Sequence, residues 1–131
     1  MRREFELSEE DEESLTARGL VWEAVKDEKS NLLIFPDYPV PAGYNHSQVT
    51  AALRLPPSYP DDQIDMVYFL PALALASGRP IAQLSMQPLN GNQYQQWSRH
   101  RTQANPWRPG LDNVCTHLLQ VDNWLERELK K

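Results

Sequence analysis

The sequence predicts an α+β domain with a helix near the amino terminus, a four-stranded antiparallel meander and a carboxy-terminal helix. Three observations carry that prediction. All eleven prolines fall between Pro36 and Pro109, so the first thirty-five and last twenty-two positions are free of them and can be helical. Between those limits long helices are excluded, because proline removes a backbone donor and clashes with the preceding turn. Apolar residues alternate at two-residue spacing near Leu20 and run together near Leu33, and recur at three- and four-residue steps after residue 110.

The first helix is expected over residues 8–18. Ser8 is suited to accept a hydrogen bond from an orphan N–H, Glu9, Glu10, Asp11 and Glu12 complement the positive helix end, and Gly19 permits a left-handed stop. The acidic turn reads as a solvated helix start, or alternatively as a docking site for a basic partner. From Leu20, the side chains Leu20, Trp22 and Ala24 alternate with Val21, Glu23 and Val25; a turn at 27–31 then leads into Leu32-Leu33-Ile34-Phe35, predicting a hairpin. Further strands are expected over 48–55 and 66–70, while 72–92 stays unassigned apart from turns at Ser77-Gly78 and Asn90-Gly91. The last helix carries a stripe of Leu111, Val114, Cys115, Leu118, Val121, Leu125 and Leu129, with Cys115 between Leu111 and Leu119. Cys115 is thereby expected in the core, where burial keeps a thiol protonated and inert. His117 falls off that stripe and is expected to face solvent; His46 has no metal partner.

Composition sets the outer limits. A chain of 131 residues with 40% hydrophobic and 24% charged positions fits one domain, 1–131, able to hold a core without disulfide or metal. A single cysteine and no zinc-ligand spacing suit a reducing cytoplasm, and no apolar run is long enough to span a membrane. Met1-Arg2-Arg3 leads into Glu4-Phe5-Glu6 rather than into a signal-peptide core. A net charge of −5 argues against general nucleic-acid binding, whose affinity comes from neutralising phosphates.

Two motifs add a resemblance. Leu55-Pro56-Pro57-Ser58-Tyr59-Pro60 closes a predicted strand, and Trp107-Arg108-Pro109 opens the last helix; in that order they resemble the turns of the ubiquitin-conjugating-enzyme (UBC) fold. Trp97-Ser98-Arg99-His100, then Trp107-Arg108-Pro109-Gly110 and Asp112, is similar to a bacterial branch, the prokaryotic family E relatives of the conjugating enzymes. In their own right both motifs read as scaffold: a proline-stiffened turn with a packing tyrosine, and a tryptophan covering the helix–sheet seam. The resemblance implies a cytoplasmic, conjugating-enzyme-like component of a bacterial ubiquitin-like modification system. It also implies three partners: a ubiquitin-like protein, an adenylating activating enzyme and a metallopeptidase that removes the modifier. No cofactor and no metal are suggested by the residues.

Transferring members of that family carry a cysteine after His-Pro-Asn, upstream of the Trp-x-Pro turn; the corresponding window here, 93–101, has neither. Three readings of the window stand side by side. In the first, Ser98 or His100 replaces the cysteine in acyl transfer, His100 serving as base for Ser98 and an arginine, Asn90 or Asn92 steadying an oxyanion. In the second, the chain is a non-catalytic docking module in which Arg99, His100, Arg101 and Arg108 form a basic patch for an acidic tail or a glycine-ended carboxylate. In the third, Trp97 packs, the arginines are solvated and His100 caps a carbonyl. A different class of protein, a small anion-binding module using Arg99, Arg101 and Arg108 with Trp97 and Trp107, is the remaining alternative.

Overall fold

The computed structural model describes residues 2–27 and 30–131. Two positions of the turn expected at 27–31, Glu28 and Lys29, lie outside the described residues, as does Met1. The elements run α1 (Glu9–Ala17), β1 (Glu23–Lys26), β2 (Asn31–Pro39), β3 (Gln48–Leu55), β4 (Val67–Leu70), β5 (Leu84–Leu89), β6 (Asn92–Trp97) and α2 (Val114–Leu129). All strands pair antiparallel in one sheet of order β1-β2-β3-β4-β6-β5.

The helix ends form for local reasons. Ser8 Oγ accepts the Asp11 N–H at 3.1 Å, and Gly19 takes φ 71° just past the last turn. Helix α2 begins later than its apolar pattern suggested: Gly110 (φ 84°) breaks the chain direction, and Asn113 and Thr116 form a reciprocal capping box that starts the helix at Val114. Leu111 therefore lies outside the helix and is 65% exposed, correcting its place on the stripe. His117 is a second correction: it is 1% exposed, because 114, 117, 118, 121, 124, 125 and 128 share the buried helix face.

Alternation along the strands gives the sheet two apolar faces. Leu33, Phe35, Ala51, Leu53, Val67, Phe69 and Trp97 face the helices and pack with Leu15, Val114, Leu118, Val121, Trp124 and Leu125. The opposite face holds a second core of Val25, Leu32, Ile34, Ala52, Tyr68, Leu89 and Tyr94. Leu89 and Tyr94 come from the β5–β6 hairpin, two strands beyond the four-stranded meander read from the sequence. The hairpin turns at Asn90 (φ 48°) and Gly91 (φ 81°), the two left-handed positions a tight turn between right-twisted strands requires. The sheet curls far enough for Arg2, beside β1, to reach Asn90 at 3.5 Å. The β1 edge is itself covered: Glu4 N–H bonds Ala24 O at 2.8 Å, and the Glu4 carboxylate accepts Lys26 N–H at 2.8 Å. No helix among the described residues is long and apolar enough to cross a membrane.

Candidate functional site

Strand β6 ends at Trp97, and the window singled out in the sequence continues from it as an extended segment, 98–101. Its backbone is gripped from both sides. Ser98 N–H bonds Gln83 O at 3.0 Å, and Arg99 O accepts Met66 N–H at 3.0 Å. Gln83 (φ 61°) and Met66 (φ 64°) are both non-glycine residues in the left-handed region, a conformation held only where surrounding structure over-determines it. Met66 is anchored from α2, where His117 Nε2 lies 2.8 Å from its carbonyl oxygen.

The side chains of the window have separate fates. Trp97 is fully buried, edge-on to Phe69 at 5.5 Å, with Nε1–H donated to Gln95 at 2.9 Å. It is a core residue, and its expected place in a binding surface is corrected, because its position on β6 points it at the helix layer. Gln95 also accepts Leu73 N–H at 2.9 Å and donates to Leu73 O at 3.1 Å, so one buried amide ties β6 to the loop after β4. Ser98 is half-buried, and its Oγ accepts from Gln96 Nε2 at 3.0 Å. The His100 ring is exposed and turns its Nδ1 toward Asp65 Oδ1, 3.5 Å away. Asp65 was not singled out in the sequence: it lies thirty-five positions upstream in an aspartate-rich loop, and only the pairing of β4 with β6 brings it beside His100.

The arginines do not form an open basic patch. Arg99 Nη2 lies 3.2 Å from the buried Glu128 carboxylate, and its guanidinium stands 5.0 Å over the Trp97 ring. Arg79 and Lys131 share that carboxylate, at 3.4 and 2.7 Å. Burial alone would raise the Glu128 pKa; the three cations outweigh it and hold the carboxyl below its ordinary value. Arg108 donates from its backbone N–H to Asp112 Oδ2 at 2.7 Å and from Nε at 3.3 Å, while Arg101 Nη2 lies 3.8 Å from Asp112 Oδ1. Each of the three arginines therefore has a counter-charge from its own chain.

The remaining motif residues serve the scaffold. Trp107 packs against the main core, donates Nε1–H to Pro60 O at 3.0 Å and tilts against Tyr59 at 6.5 Å. Cys115 is half-buried; burial pushes its thiol up, against an opposing hydrogen bond with Ser14. Among the described residues no group of three His, Cys, Asp or Glu side chains is arranged to hold a metal ion. Asn90 sits in the β5–β6 turn, bonded to Arg2 and away from Ser98 along the whole length of β6.

This α+β arrangement, with a helix before and after an antiparallel sheet, is consistent with a UBC-like fold. Residues 7–128 match the family model of prokaryotic E2 family E, and the chain belongs to that family. Membership supports a conjugating-enzyme-like role. No curated protein matches the chain, and no solved structure does.

Proposed function

We propose that the protein is the conjugating-enzyme-like component of a ubiquitin-like modification system, and that His100, rather than Ser98, meets the activated carboxyl terminus of the modifier. The observation that carries this reading is the Asp65 carboxylate 3.5 Å from His100 Nδ1. A proton on Nδ1 directed at Asp65 leaves the Nε2 lone pair free on an exposed ring, the arrangement an imidazole nucleophile or base needs. Ser98 has no such help: its oxygen already accepts from the neutral Gln96 amide, and His100 is turned toward Asp65.

The expected partners are a ubiquitin-like protein, an adenylating activating enzyme that presents it as a thioester, and a metallopeptidase that removes it. His100 Nε2 attacks the thioester carbonyl; the N–C bond forms, the C–S bond breaks, and the electron pair leaves with the thiolate of the activating enzyme. Asp65 stabilises the cationic acyl-imidazole until the Nδ1 proton is lost to solvent. An amine of the target then attacks the acyl carbon, and the imidazole leaves and recovers its proton.

A second reading, a non-catalytic docking module, is favoured by the large apolar side chains left exposed at Leu111 (65%) and Leu119 (58%), which suit an apolar partner surface. Reconstitution with the activating enzyme, modifier and ATP separates the two. We expect a hydroxylamine-sensitive adduct that survives Ser98→Ala and Cys115→Ala, and so is neither an oxyester of Ser98 nor a thioester of Cys115, weakens in Asp65→Asn and is lost in His100→Ala. An undiminished adduct in His100→Ala overturns the assignment. Stoichiometric binding of the modifier without any adduct in the parent protein replaces it with the docking reading.

A further inference from the structure

A cleft of about 680 Å³ opens where the end of α2 meets the loop before β3 and the loop after β4. That volume lies within the roughly 300–1,000 Å³ range of small-ligand sites. Ser98, His100 and Asp65 do not line it.

Two walls of the cleft differ in character. One is apolar: Leu75 is buried, and Leu129 sits so close to the Gly43 backbone that a Cβ there would stand 2.5 Å from Leu129 Cδ2. The other is bare backbone, running from Gly43 (φ 114°) to the turn at Ser77-Gly78, where Gly78 takes φ 82°. Ala76 N–H donates to Gly43 O at 2.8 Å and holds the two loops together. Gly78 is exposed, and a Cβ on it would meet nothing within 4 Å. Backbone without side chains lets a second backbone come close.

The cleft is also charged. Arg79 and Lys131 line it, and both reach the buried Glu128 carboxylate, at 3.4 and 2.7 Å; Arg99 reaches the same carboxylate at 3.2 Å. One negative charge therefore faces three positive ones. Glu126, the preceding carboxylate of α2, is exposed and pairs with none of the three among the described residues. Arg99 does not line the cleft and lies over the Trp97 ring. The pair that does line it exceeds Glu128 by one charge, the complement of a monoanion. Lys131 is 52% exposed, and Nζ directs only one of its three N–H bonds at Glu128.

A single negative charge, an apolar side chain and a close-lying backbone together describe one end of a polypeptide. We propose that this cleft binds the free carboxyl terminus of a peptide chain ending in an apolar residue. The α-carboxylate meets Lys131 and Arg79, the last side chain lies against Leu75 and Leu129, and the last peptide groups follow Gly43 and Ser77-Gly78. This site goes beyond the assignment of His100 and uses none of the same atoms.

The test is amide-resolved nuclear magnetic resonance of the full chain, titrated with N-acetyl-alanyl-leucine, its carboxamide and inorganic phosphate. The acid should shift the Gly43, Ser77 and Gly78 amides to saturation, with a Kd of about 1 mM or tighter. The carboxamide should bind about tenfold more weakly, the loss expected of one charge-assisted hydrogen bond. Lys131→Gln should weaken the acid by about the same factor and leave the carboxamide unchanged. Ala76→Trp, which fills the cleft from an exposed wall position, should abolish binding of both. Arg79→Gln is the less direct variant, because Arg79 also donates to the Glu128 carbonyl and so holds the end of α2. Equal affinity for acid and carboxamide overturns the proposal, as does undiminished binding of the acid by folded Lys131→Gln or Ala76→Trp. Phosphate that moves the same amides at the same concentration also overturns it, making the cleft a general anion site. No activating enzyme or modifier is present in this titration, so the peptide site and the His100 chemistry can fail independently.

Discussion

Tyr59 donates its hydroxyl to Asp11 Oδ2 at 2.7 Å and with the same oxygen accepts the Val114 N–H at 2.8 Å, so one phenol joins the first turn of α1 to the first turn of α2. Asp11 is buried there, and the loss of solvation raises its pKa against the Tyr59 and Ser8 hydrogen bonds. The Pro-x-x-Tyr-Pro motif thus acts as a clamp between the two helices, placed at the end of β3 by the rigid turn around it.

Tyr59→Phe should cost about 2–3 kcal/mol, because it leaves a buried carboxylate and a helix-terminal N–H each short of a partner. Urea titration should show an earlier midpoint with an unchanged slope. Asp11→Asn keeps an acceptor for Tyr59 without the buried charge and should cost less than Tyr59→Phe at neutral pH.

Glu128→Gln should destabilise by about 1–3 kcal/mol, below the figure for a fully buried pair because Arg79 and Lys131 keep part of their hydration. The pH dependence follows from the lowered pKa of the native carboxyl. Its contribution is fully present above the unfolded value of about 4.3 and is lost as pH falls through the native one. The stability difference between parent and variant should therefore shrink below about pH 4 in acid titrations of urea unfolding.

His117 predicts a second window. Burial, aided by the Arg101 charge and opposed by the Met66 hydrogen bond, lowers its pKa from 6.5 to about 4. The unfolded chain binds more protons between those values, so this contribution is complete above pH 6.5 and disappears as pH falls toward about 4. His117→Gln should lack that slope. Unfolding measured at pH 7 and again near pH 4.5 should show the parent losing more stability than the variant.

Cys115 should label slowly with a thiol reagent in the native protein and fully after unfolding, because its thiol is half-buried and its pKa raised. Cys115→Ala should cost about 1 kcal/mol or less and leave adduct formation intact. Rapid native labelling at neutral pH would return the thiol to consideration as the transferring group.

The two helices, strands β2, β3 and β4, and the hairpin turn at Asn90-Gly91 were legible because local rules decide them: caps, left-handed glycine positions, alternation, and the exclusion of helix by proline. Strand β5 was not legible. Leu84–Leu89 presents only Leu89 fully buried, and Pro88 interrupts it, so its burial depends on a sheet that curls to close a second core. His117 and Gln95 were hidden for the same reason, polar residues whose places inside are set by acceptors on other segments, Met66 O and Leu73 O.

The window 93–101 and its residue types could be read directly, as could the lack of a cysteine within it. Which side chains share a site could not. That Arg99 turns to Glu128, Arg101 to Asp112 and His100 to Asp65 depends on contacts between residues 29, 11 and 35 positions apart. Sequence by itself determined the two helices, the strands of the meander and their order, because these rest on local backbone preference and periodicity, and its motifs carried the resemblance to the family. Tertiary structure alone decided charge pairing and burial, because a hydrogen bond or ion pair depends on separation in space, which chain order leaves open until the sheet and helices are packed.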